Sequence, residues 1–259
     1  MSRSKEIRLV VSGTYSTGKT TTATALSIAT GIPLINALSA REILTDLFPG
    51  RRFQDMNSVE LMALGLKRFE ERIREEFVLY KDNGSFISDG SVLNEWIYGT
   101  VRMKVGINPG SKLPHRIVKA LLGIPFKPFF KNYLNAYGKV TTMHAKQWYT
   151  DIVHLPIEFP MNPDGHRPVS EKYRDLSDKE LKNIFSSMGF NPQMVYGNQI
   201  ERIKKIIKLF DLPMVESAEE AVKKAQKVIS LNRETVSQKI IEQYQEPNII
   251  DKLKIMTKF

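Results

Sequence analysis

Short apolar runs alternate along the chain with longer segments in which apolar residues recur at helical spacing. Five runs have the length of buried strands and cover residues 7–11, 32–35, 86–88, 152–155 and 194–196. Helical segments separate them, an order that is typical of a parallel sheet covered by helices on both faces. We therefore predict an α/β fold.

Capping patterns predict where several helices begin. In such a pattern a polar residue is followed three positions later by glutamate. The pairs are Asn57 with Glu60, whose helix should end near Tyr80, Ser177 with Glu180, and Ser217 with Glu220. The amphipathic, basic tail after about Asn232 predicts an added helical pair. We predict a core over residues 1–230 and a helical extension of the same domain over 231–259.

A complete G-x-x-x-x-G-K-[ST] sequence follows the first apolar run at residues 13–20, and a helical segment over 20–29 follows it. Strand, loop and helix in this order are the context in which such a loop binds phosphate. Gly13 and Gly18 let the backbone curl so that successive N–H groups point at one phosphate. The helix N-terminus adds partial positive charge. The sequence therefore predicts a nucleoside triphosphate site.

Residues in and near this loop have predicted roles in binding ATP. Lys19 can reach the β- and γ-phosphates, and the Thr20 hydroxyl is placed to hold Mg²⁺, which prefers oxygen ligands. The loop after the fifth strand should lie near the nucleotide base. The predicted ATP site comprises Gly13, Thr14, Tyr15, Ser16, Thr17, Gly18, Lys19, Thr20, Thr21, Gly197 and Asn198.

Asp89 ends the third predicted strand and is followed by Gly90 and Ser91. An acidic residue at the carboxyl end of a strand beside a phosphate loop lies where ligands bind in open α/β sheets. Asp89 could hold Mg²⁺ and its water shell or accept a proton from an attacking hydroxyl, and the sequence leaves both roles open. A helix-capping or turn aspartate is the alternative without catalytic function.

Arg167 and Arg174 follow the fourth strand, seven positions apart, so that a helix would place them on one side. Their guanidinium groups could clamp the γ-phosphate when a mobile segment closes, and a solvated charged turn is the alternative. The candidate catalytic residues are Lys19, Asp89, Arg167 and Arg174.

An acceptor pocket should border the loop after the second strand. There Arg41 and Glu42 are candidates for gripping or deprotonating the acceptor, with ordinary helix-surface charge as the alternative. Residues 96–150 contain lysines and arginines but no acidic residue, and prolines and glycines divide them into a helical insertion over 100–147. Charge of one sign favours an anionic partner, whereas simple solubility is the other interpretation. The predicted acceptor-binding residues are Arg41, Glu42, Ser91, Arg102 and Lys104.

Composition narrows the possible functions. The 259 residues carry a net charge of +10, and the absence of cysteine excludes disulfides, thiolate zinc sites and a thiol nucleophile. The residues before the first strand include no apolar segment of signal or membrane-spanning length, so we expect a cytoplasmic protein.

The phosphate loop, the strand end Ser88-Asp89-Gly90-Ser91 and the segment from Asp164 to Arg174 resemble those of small ATP-binding P-loop kinases related to ribosylnicotinamide kinase domains. The resemblance covers most of residues 5–230 but neither the insertion nor the last thirty or so residues. It implies five parallel strands in the order 2-3-1-4-5, ATP with Mg²⁺, and transfer to a small-molecule hydroxyl. Related sequences usually carry arginine where this chain has Gly90.

The leading hypothesis is therefore an ATP-dependent kinase whose acceptor is a small anionic or nucleoside-like metabolite. An ATP-dependent switch that binds nucleic acid or an anionic membrane is the alternative from another class, since the chain is basic. A polynucleotide 5′-kinase lies between the two. A GTP switch is disfavoured because the chain lacks an Asn-Lys-x-Asp motif, and a hexameric motor because no second acidic strand end and no separate helical lid domain are evident.

Overall fold

Five strands and eight helices make up the described part of the chain, residues 6–35, 40–51, 56–105, 127–161 and 170–244 of a computed structural model. The strands are β1 (Arg8–Ser12), β2 (Leu34–Ile35), β3 (Phe86–Asp89), β4 (Asp151–His154) and β5 (Gln193–Met194). The helices are α1 (Lys19–Thr30), α2 (Ala40–Leu47), α3 (Ser58–Asn83), α4 (Leu93–Val105), α5 (Lys127–Trp148), α6 (Glu171–Ser187), α7 (Gln199–Phe210) and α8 (Ala218–Gln243).

All strand pairs are parallel, and the sheet order is β2-β3-β1-β4-β5. This confirms the α/β fold predicted from the apolar runs and the strand order implied by the resemblance. Strand β1 lies at the centre, where Val11 is opposite Asp89 of β3 and Ser12 is opposite His154 of β4. Because parallel strands end at one edge of a sheet, these residues meet beside the loop that follows β1.

The two faces of the sheet carry separate hydrophobic cores. Leu9 and Val11 of β1 pack with buried residues of α1, α7 and α8, whereas Val10 packs with residues of α4, α5 and α6. Side chains alternate between the faces of a strand, so β1 contributes to both cores. A third, smaller cluster joins α2 to α3 through Ile43, Leu44 and Leu64.

Two of the three predicted helix starts are confirmed. Asn57 and Glu60 form a reciprocal capping box at the start of α3, and the Ser217 side chain accepts a hydrogen bond from the Glu220 N–H at the start of α8. Helix α3 extends to Asn83, beyond the end expected near Tyr80.

The predicted helix start at Ser177 is wrong. Ser170 caps α6 by accepting a hydrogen bond from the Tyr173 N–H, so Ser177 lies inside this helix. There its hydroxyl donates to the Tyr173 carbonyl oxygen at 2.7 Å. A serine can bond to the preceding helical turn as well as to a helix N-terminus, so its spacing from a glutamate does not distinguish the two positions.

The C-terminal segment continues the core without a break at residue 231. Helix α8 runs from Ala218 to Gln243, its first turns pack against α1, and Lys239 forms an ion pair with Asp46 of α2 at 2.7 Å. The division of the chain at 230/231 stays a prediction. The rest of the predicted helical pair, and residues 106–126 of the basic insertion, lie outside the described residues.

No helix in the described ranges combines the length and apolar character that crossing a bilayer requires. The cytoplasmic location stays a prediction.

A buried hydrogen-bond network fixes the turn between β3 and α4. The Tyr149 hydroxyl accepts the Val92 N–H at 3.0 Å and donates to Glu76 at 2.8 Å. The ring of His144 lies 2.6 Å from the other oxygen of the Glu76 carboxylate. Burial, followed by the charge of Glu76, raises the pKa of Tyr149 well above its ordinary value. The neutral phenol therefore connects α3 to the turn that begins at Asp89.

We expect Tyr149→Phe to lower the free energy of unfolding by about 1–3 kcal/mol, because a buried N–H and a buried carboxylate each lose a partner. Urea denaturation of the two proteins measures this difference. The control is Tyr196→Phe, since Tyr196 is 52% exposed and this change should leave the midpoint almost unaltered.

The same pair of proteins gives a pH test. The pKa of Tyr149 is higher in the folded chain than the ordinary value of about 10, so its contribution is complete below about pH 10 and is lost as pH rises toward the folded value. The stability difference between wild type and Tyr149→Phe should therefore shrink at alkaline pH. Equal midpoints at neutral pH would contradict the role of the hydroxyl.

Candidate functional site

The loop between β1 and α1 has a backbone that only glycine can adopt at its first position. Gly13 has φ +148°, and a Cβ there would lie 2.7 Å from Thr17 Oγ1 and 2.9 Å from the Leu155 carbonyl oxygen. Gly18, with φ +84°, turns the chain into α1. Both glycines are therefore needed for a tight loop, as the sequence predicts for a phosphate-binding loop.

The N-terminus of α1 is open to an anion. Gly18 provides no side-chain cap, and the first turn contains no acidic residue. The first N–H groups of a helix lack partners within the helix and carry partial positive charge. The Lys19 ammonium donates to the Thr14 carbonyl oxygen at 3.2 Å, so it lies across the loop. Backbone dipoles and a lysine charge thus meet at one point.

Thr20 and Asp89, both predicted to hold Mg²⁺, lie in contact. The Thr20 hydroxyl donates to Asp89 Oδ2 at 2.7 Å. Asp89 Oδ1 is buried and has no hydrogen-bond partner among the described residues. A buried carboxylate oxygen without a partner is unfavourable, and a cation or its bound water would satisfy it. Two oxygen-bearing side chains beside the loop fit the preference of Mg²⁺ for oxygen ligands.

Arg72 of α3 holds the turn that presents Asp89. Its guanidinium donates to Ser88 Oγ at 2.6 Å and to the Asp89 carbonyl oxygen at 2.9 Å. The next residue, Gly90, has φ +81° and no side chain to reach the site. The guanidinium beside this turn therefore comes from α3. Sequence reasoning missed Arg72, because an arginine in a charged helical segment looks like surface charge.

Arg174 of α6 is 1% exposed and binds the phosphate loop from behind. Its Nε donates to the Tyr15 carbonyl oxygen at 2.9 Å, and its Nη2 donates to the carbonyl oxygens of Phe159 at 2.8 Å and Ser16 at 3.4 Å. Through these contacts Arg174 positions the loop. Its predicted contact with the γ-phosphate stays a prediction. Helix α6 begins at Glu171 and carries Arg174 without Arg167, which lies outside the described residues.

Arg202 of α7, also 1% exposed, binds the backbone of the same loop. Its Nη1 donates to the Thr17 carbonyl oxygen at 2.6 Å, and its Nη2 donates to Glu158 at 2.5 Å. Glu158 also accepts the Gly197 N–H at 3.2 Å. Partial burial tends to raise the pKa of Glu158, but the bonds from Arg202 and Gly197 outweigh it and keep this pKa below the ordinary value.

The two arginines orient the loop as well as fix it. The carbonyl groups of Tyr15, Ser16 and Thr17 all point at a guanidinium group. Because the C=O and N–H of a planar trans peptide point in opposite directions, the N–H groups that follow these carbonyls point away from the arginines. A row of N–H groups on the face opposite the arginines can bind an anion. Sequence reasoning missed Arg202, whose only signal was its place one turn after the predicted base-side loop.

A buried Ser12–His154–Asp178 chain lies at the base of the loop. Ser12 Oγ is 3.2 Å from His154 Nδ1, and His154 Nε2 is 2.9 Å from Asp178 Oδ1. Burial tends to raise the pKa of Asp178, but hydrogen bonds from His154 and Lys182 hold it below its ordinary value. Ser12 and His154 are at most 1% exposed, so this Ser-His-Asp set ties β1 to β4 and α6 and has no access to a substrate.

One of the predicted acceptor residues on α4, Arg102, lies beside an aromatic cluster. Tyr15 of the loop stacks on Tyr98 with ring centroids 4.7 Å apart, and Tyr173 lies 5.9 Å from Tyr15. The Arg102 guanidinium lies 6.0 Å from the Tyr173 ring centroid. The structure thus places Arg102 in the aromatic cluster that packs on the phosphate loop.

The other predicted acceptor residues are more widely placed. The Ser91 hydroxyl bonds to the Asn94 side chain at 3.0 Å, within the turn after Asp89. Lys104 pairs with Glu180 of α6, and Glu42 of α2 accepts a hydrogen bond from Asn232 at 3.4 Å. Arg41 follows Ala40, the first residue of α2, but its side chain is outside the described part of the structure. The acceptor roles of these residues stay predictions.

Comparisons with known proteins identify a family and a solved structure with a similar fold. A family model described as "AAA domain" matches residues 8–202. The solved structure of deoxyadenosine kinase from M. mycoides with bound dATP has a TM-score of 0.55 and 13% sequence identity, and the match covers 79% of this chain and 100% of that one. No curated protein matches the sequence. The structural likeness shows the fold.

We expect Arg202→Met to lower the free energy of unfolding by about 2–4 kcal/mol, because a buried carbonyl and Glu158 each lose a partner. ATP affinity should fall about tenfold, since the loop loses one of its two supports. Urea denaturation and titration calorimetry measure the two effects. Lys208→Met, an exposed change on the same helix, is the control. Unchanged ATP affinity in Arg202→Met would contradict a positioning role.

Proposed function

The chain belongs to the AAA-domain family of P-loop proteins, and we propose that it is an ATP-dependent kinase. The resemblance to P-loop small-molecule kinases is confirmed by this family and by the fold shared with a nucleoside kinase. The proposed reaction transfers the γ-phosphoryl group of ATP to a hydroxyl or phosphate of a small metabolite. The contact between Thr20 and Asp89, beside Lys19 and the uncapped start of α1, is the observation that carries this proposal.

The proposed role of each site residue follows from what phosphoryl transfer requires. The protein forms and breaks few covalent bonds itself. Catalysis depends on positioning the reactants and on neutralising the negative charge of the transferred phosphoryl group. The loop N–H groups and Lys19 would bind the phosphates, and Thr20 and Asp89 would hold the Mg²⁺. Bound Mg²⁺ would supply positive charge that neutralises the phosphates. The loop arginines act from behind by keeping the N–H groups aimed at the phosphates.

Two oxygens of Asp89 support its two proposed roles. Oδ2 accepts the Thr20 hydroxyl, which places it at the proposed metal site. Oδ1 is buried without a partner in the described residues and is available to a metal-bound water or to the acceptor hydroxyl. A general base must lie within hydrogen-bond reach of the proton that it removes. The proposed acceptor therefore approaches the carboxyl end of β3.

We propose a nucleoside-like or anionic acceptor. The fold is shared with an enzyme named deoxyadenosine kinase, whose solved structure contains bound dATP. In this chain Arg102 lies by the ring of Tyr173, which in turn neighbours Tyr15 of the phosphate loop, so a cation and aromatic rings occur together near this loop. Aromatic rings suit a base, and a guanidinium suits a carboxylate or phosphate.

The proposal is tested by mixing the protein with Mg²⁺, ATP and single acceptors while ADP release is followed. The panel contains deoxyadenosine, other nucleosides, their monophosphates, anionic metabolites and a 5′-hydroxyl oligonucleotide. We expect stimulation by at least one small acceptor. Stimulation by the oligonucleotide alone would indicate a polynucleotide kinase. No stimulation by any acceptor, together with ATP binding, would sink the kinase proposal.

We expect Lys19→Ala to abolish phosphoryl transfer and Asp89→Asn to slow it at least about a hundredfold, a typical loss for a general base. Steady-state rates with the acceptor found above give both numbers. Asp46→Asn makes the same chemical change at an exposed position that pairs with Lys239 and should leave the rate unchanged.

The dependence of the rate on Mg²⁺ separates the two roles of Asp89. If the carboxylate holds the metal, Asp89→Asn requires more Mg²⁺ for half-maximal rate. If it acts only as a base, the Mg²⁺ dependence stays that of the wild type while kcat falls. Nearly intact activity in Asp89→Asn would remove both roles and move the base to another residue such as Glu42.

A further inference from the structure

Phe159 is an exposed aromatic residue beside the phosphate loop. It is 50% exposed, and its ring centroid lies 5.9 Å from the guanidinium carbon of Arg202. The same guanidinium donates to the Thr17 carbonyl oxygen at 2.6 Å. A single buried group therefore separates this ring from the loop that would bind the phosphates. Since Arg202 is 1% exposed, the exposed area of the ring lies away from it.

Both loop arginines also form hydrogen bonds to the segment Glu158–Phe159. The Phe159 carbonyl oxygen accepts Arg174 Nη2 at 2.8 Å, and the carboxylate of the preceding residue, Glu158, accepts Arg202 Nη2 at 2.5 Å. Glu158 also binds the Gly197 N–H at 3.2 Å, which brings the loop after β5 to the same place. A ring held by contacts on both sides loses little freedom when a ligand stacks on it.

The two other exposed phenylalanines in the described ranges, Phe77 and Phe129, pack on aromatic rings instead. Phe129 of α5 is 59% exposed and packs edge-on against Phe130. Single exposed apolar residues are common in proteins and need no function. What distinguishes Phe159 is that one face is held by a cation that also holds the phosphate loop, with Gly197 alongside. A flat, apolar ring next to a phosphate site matches the shape of a nucleotide, whose base lies a ribose away from its phosphates.

We propose that Phe159 is the stacking platform for the base of the donor nucleotide, held in place by Arg202 and Arg174 and bordered by the Gly197–Asn198 loop. This inference rests on the proposed ATP-binding function and names the residue that binds the base. Base–aromatic stacking tolerates every base, because each base has a π face. The platform therefore favours nucleotides over bare polyphosphate, and specificity for adenine comes from other contacts.

The test compares MgATP with magnesium tripolyphosphate, which has the phosphates but no base, by titration calorimetry. For Phe159→Ala we expect ATP affinity to fall about 5- to 150-fold, the range of one base–aromatic contact, and tripolyphosphate affinity to stay that of the wild type. Phe159→Trp should keep ATP affinity, and ATP should quench its added fluorescence relative to the wild type. Phe129→Ala is the matched control and should alter neither affinity.

The outcomes separate this inference from the proposed function. If Phe159→Ala binds ATP as tightly as the wild type, or loses affinity for ATP and tripolyphosphate equally, the proposed stacking role of Phe159 is wrong. The proposed phosphate site is not contradicted by either result. If the wild type binds ATP no more tightly than tripolyphosphate, the base contributes nothing to affinity and the inference is wrong. If the wild type binds neither ligand, the proposed function fails and the inference fails with it.

Discussion

The site depends on the buried bonds between two guanidinium groups and the carbonyl oxygens of the phosphate loop. Arg174 and Arg202 approach the loop from α6 and α7, and each is almost completely buried. A loop that aims its N–H groups at an anion must turn its carbonyl groups the other way, where burial without partners would cost about 1–3 kcal/mol each. The guanidinium groups satisfy these carbonyls and add positive charge near the proposed phosphate site. The bonds that shape the loop and the positive charge near the proposed phosphate site thus come from the same side chains.

The parts of the fold and site that sequence predicts well have local determinants. Gly13 and Gly18 are set by the backbone conformation of the loop itself, and the position of Asp89 follows from the end of an apolar run. Sheet order was not available from periodicity and came from the resemblance. Arg72 and Arg202 could not be recognised, because their partners lie 17 and 185 residues away and their own segments look like charged helix surfaces. Long-range bonds to backbone carbonyls leave no mark in the sequence near either partner.

Arg174 shows how a residue can be identified without its geometry being known. The sequence singled it out as a cation after the fourth strand, and the structure places it at the phosphate loop. Its Nε and Nη2 contact carbonyl oxygens, however, and its burial is that of a core residue. The reason lies in the start of α6 at Glu171, capped by Ser170, which puts Arg174 in the first turn and against the loop. The predicted helix start at Ser177 would leave Arg174 outside the helix, so this contact could not be foreseen.

The phosphate loop also contacts both sides of the proposed site. The ring of Tyr15 stacks on Tyr98 of α4, on the side proposed for the acceptor, while its carbonyl oxygen is bound by Arg174. Arg174 in turn binds the Phe159 carbonyl, on the side proposed for the base. Rigid contacts on both sides of one loop mean that its N–H groups are positioned before any ligand arrives. Because phosphoryl transfer is catalysed mainly by positioning and charge, a loop that needs no rearrangement at the moment of reaction is the feature such an enzyme requires.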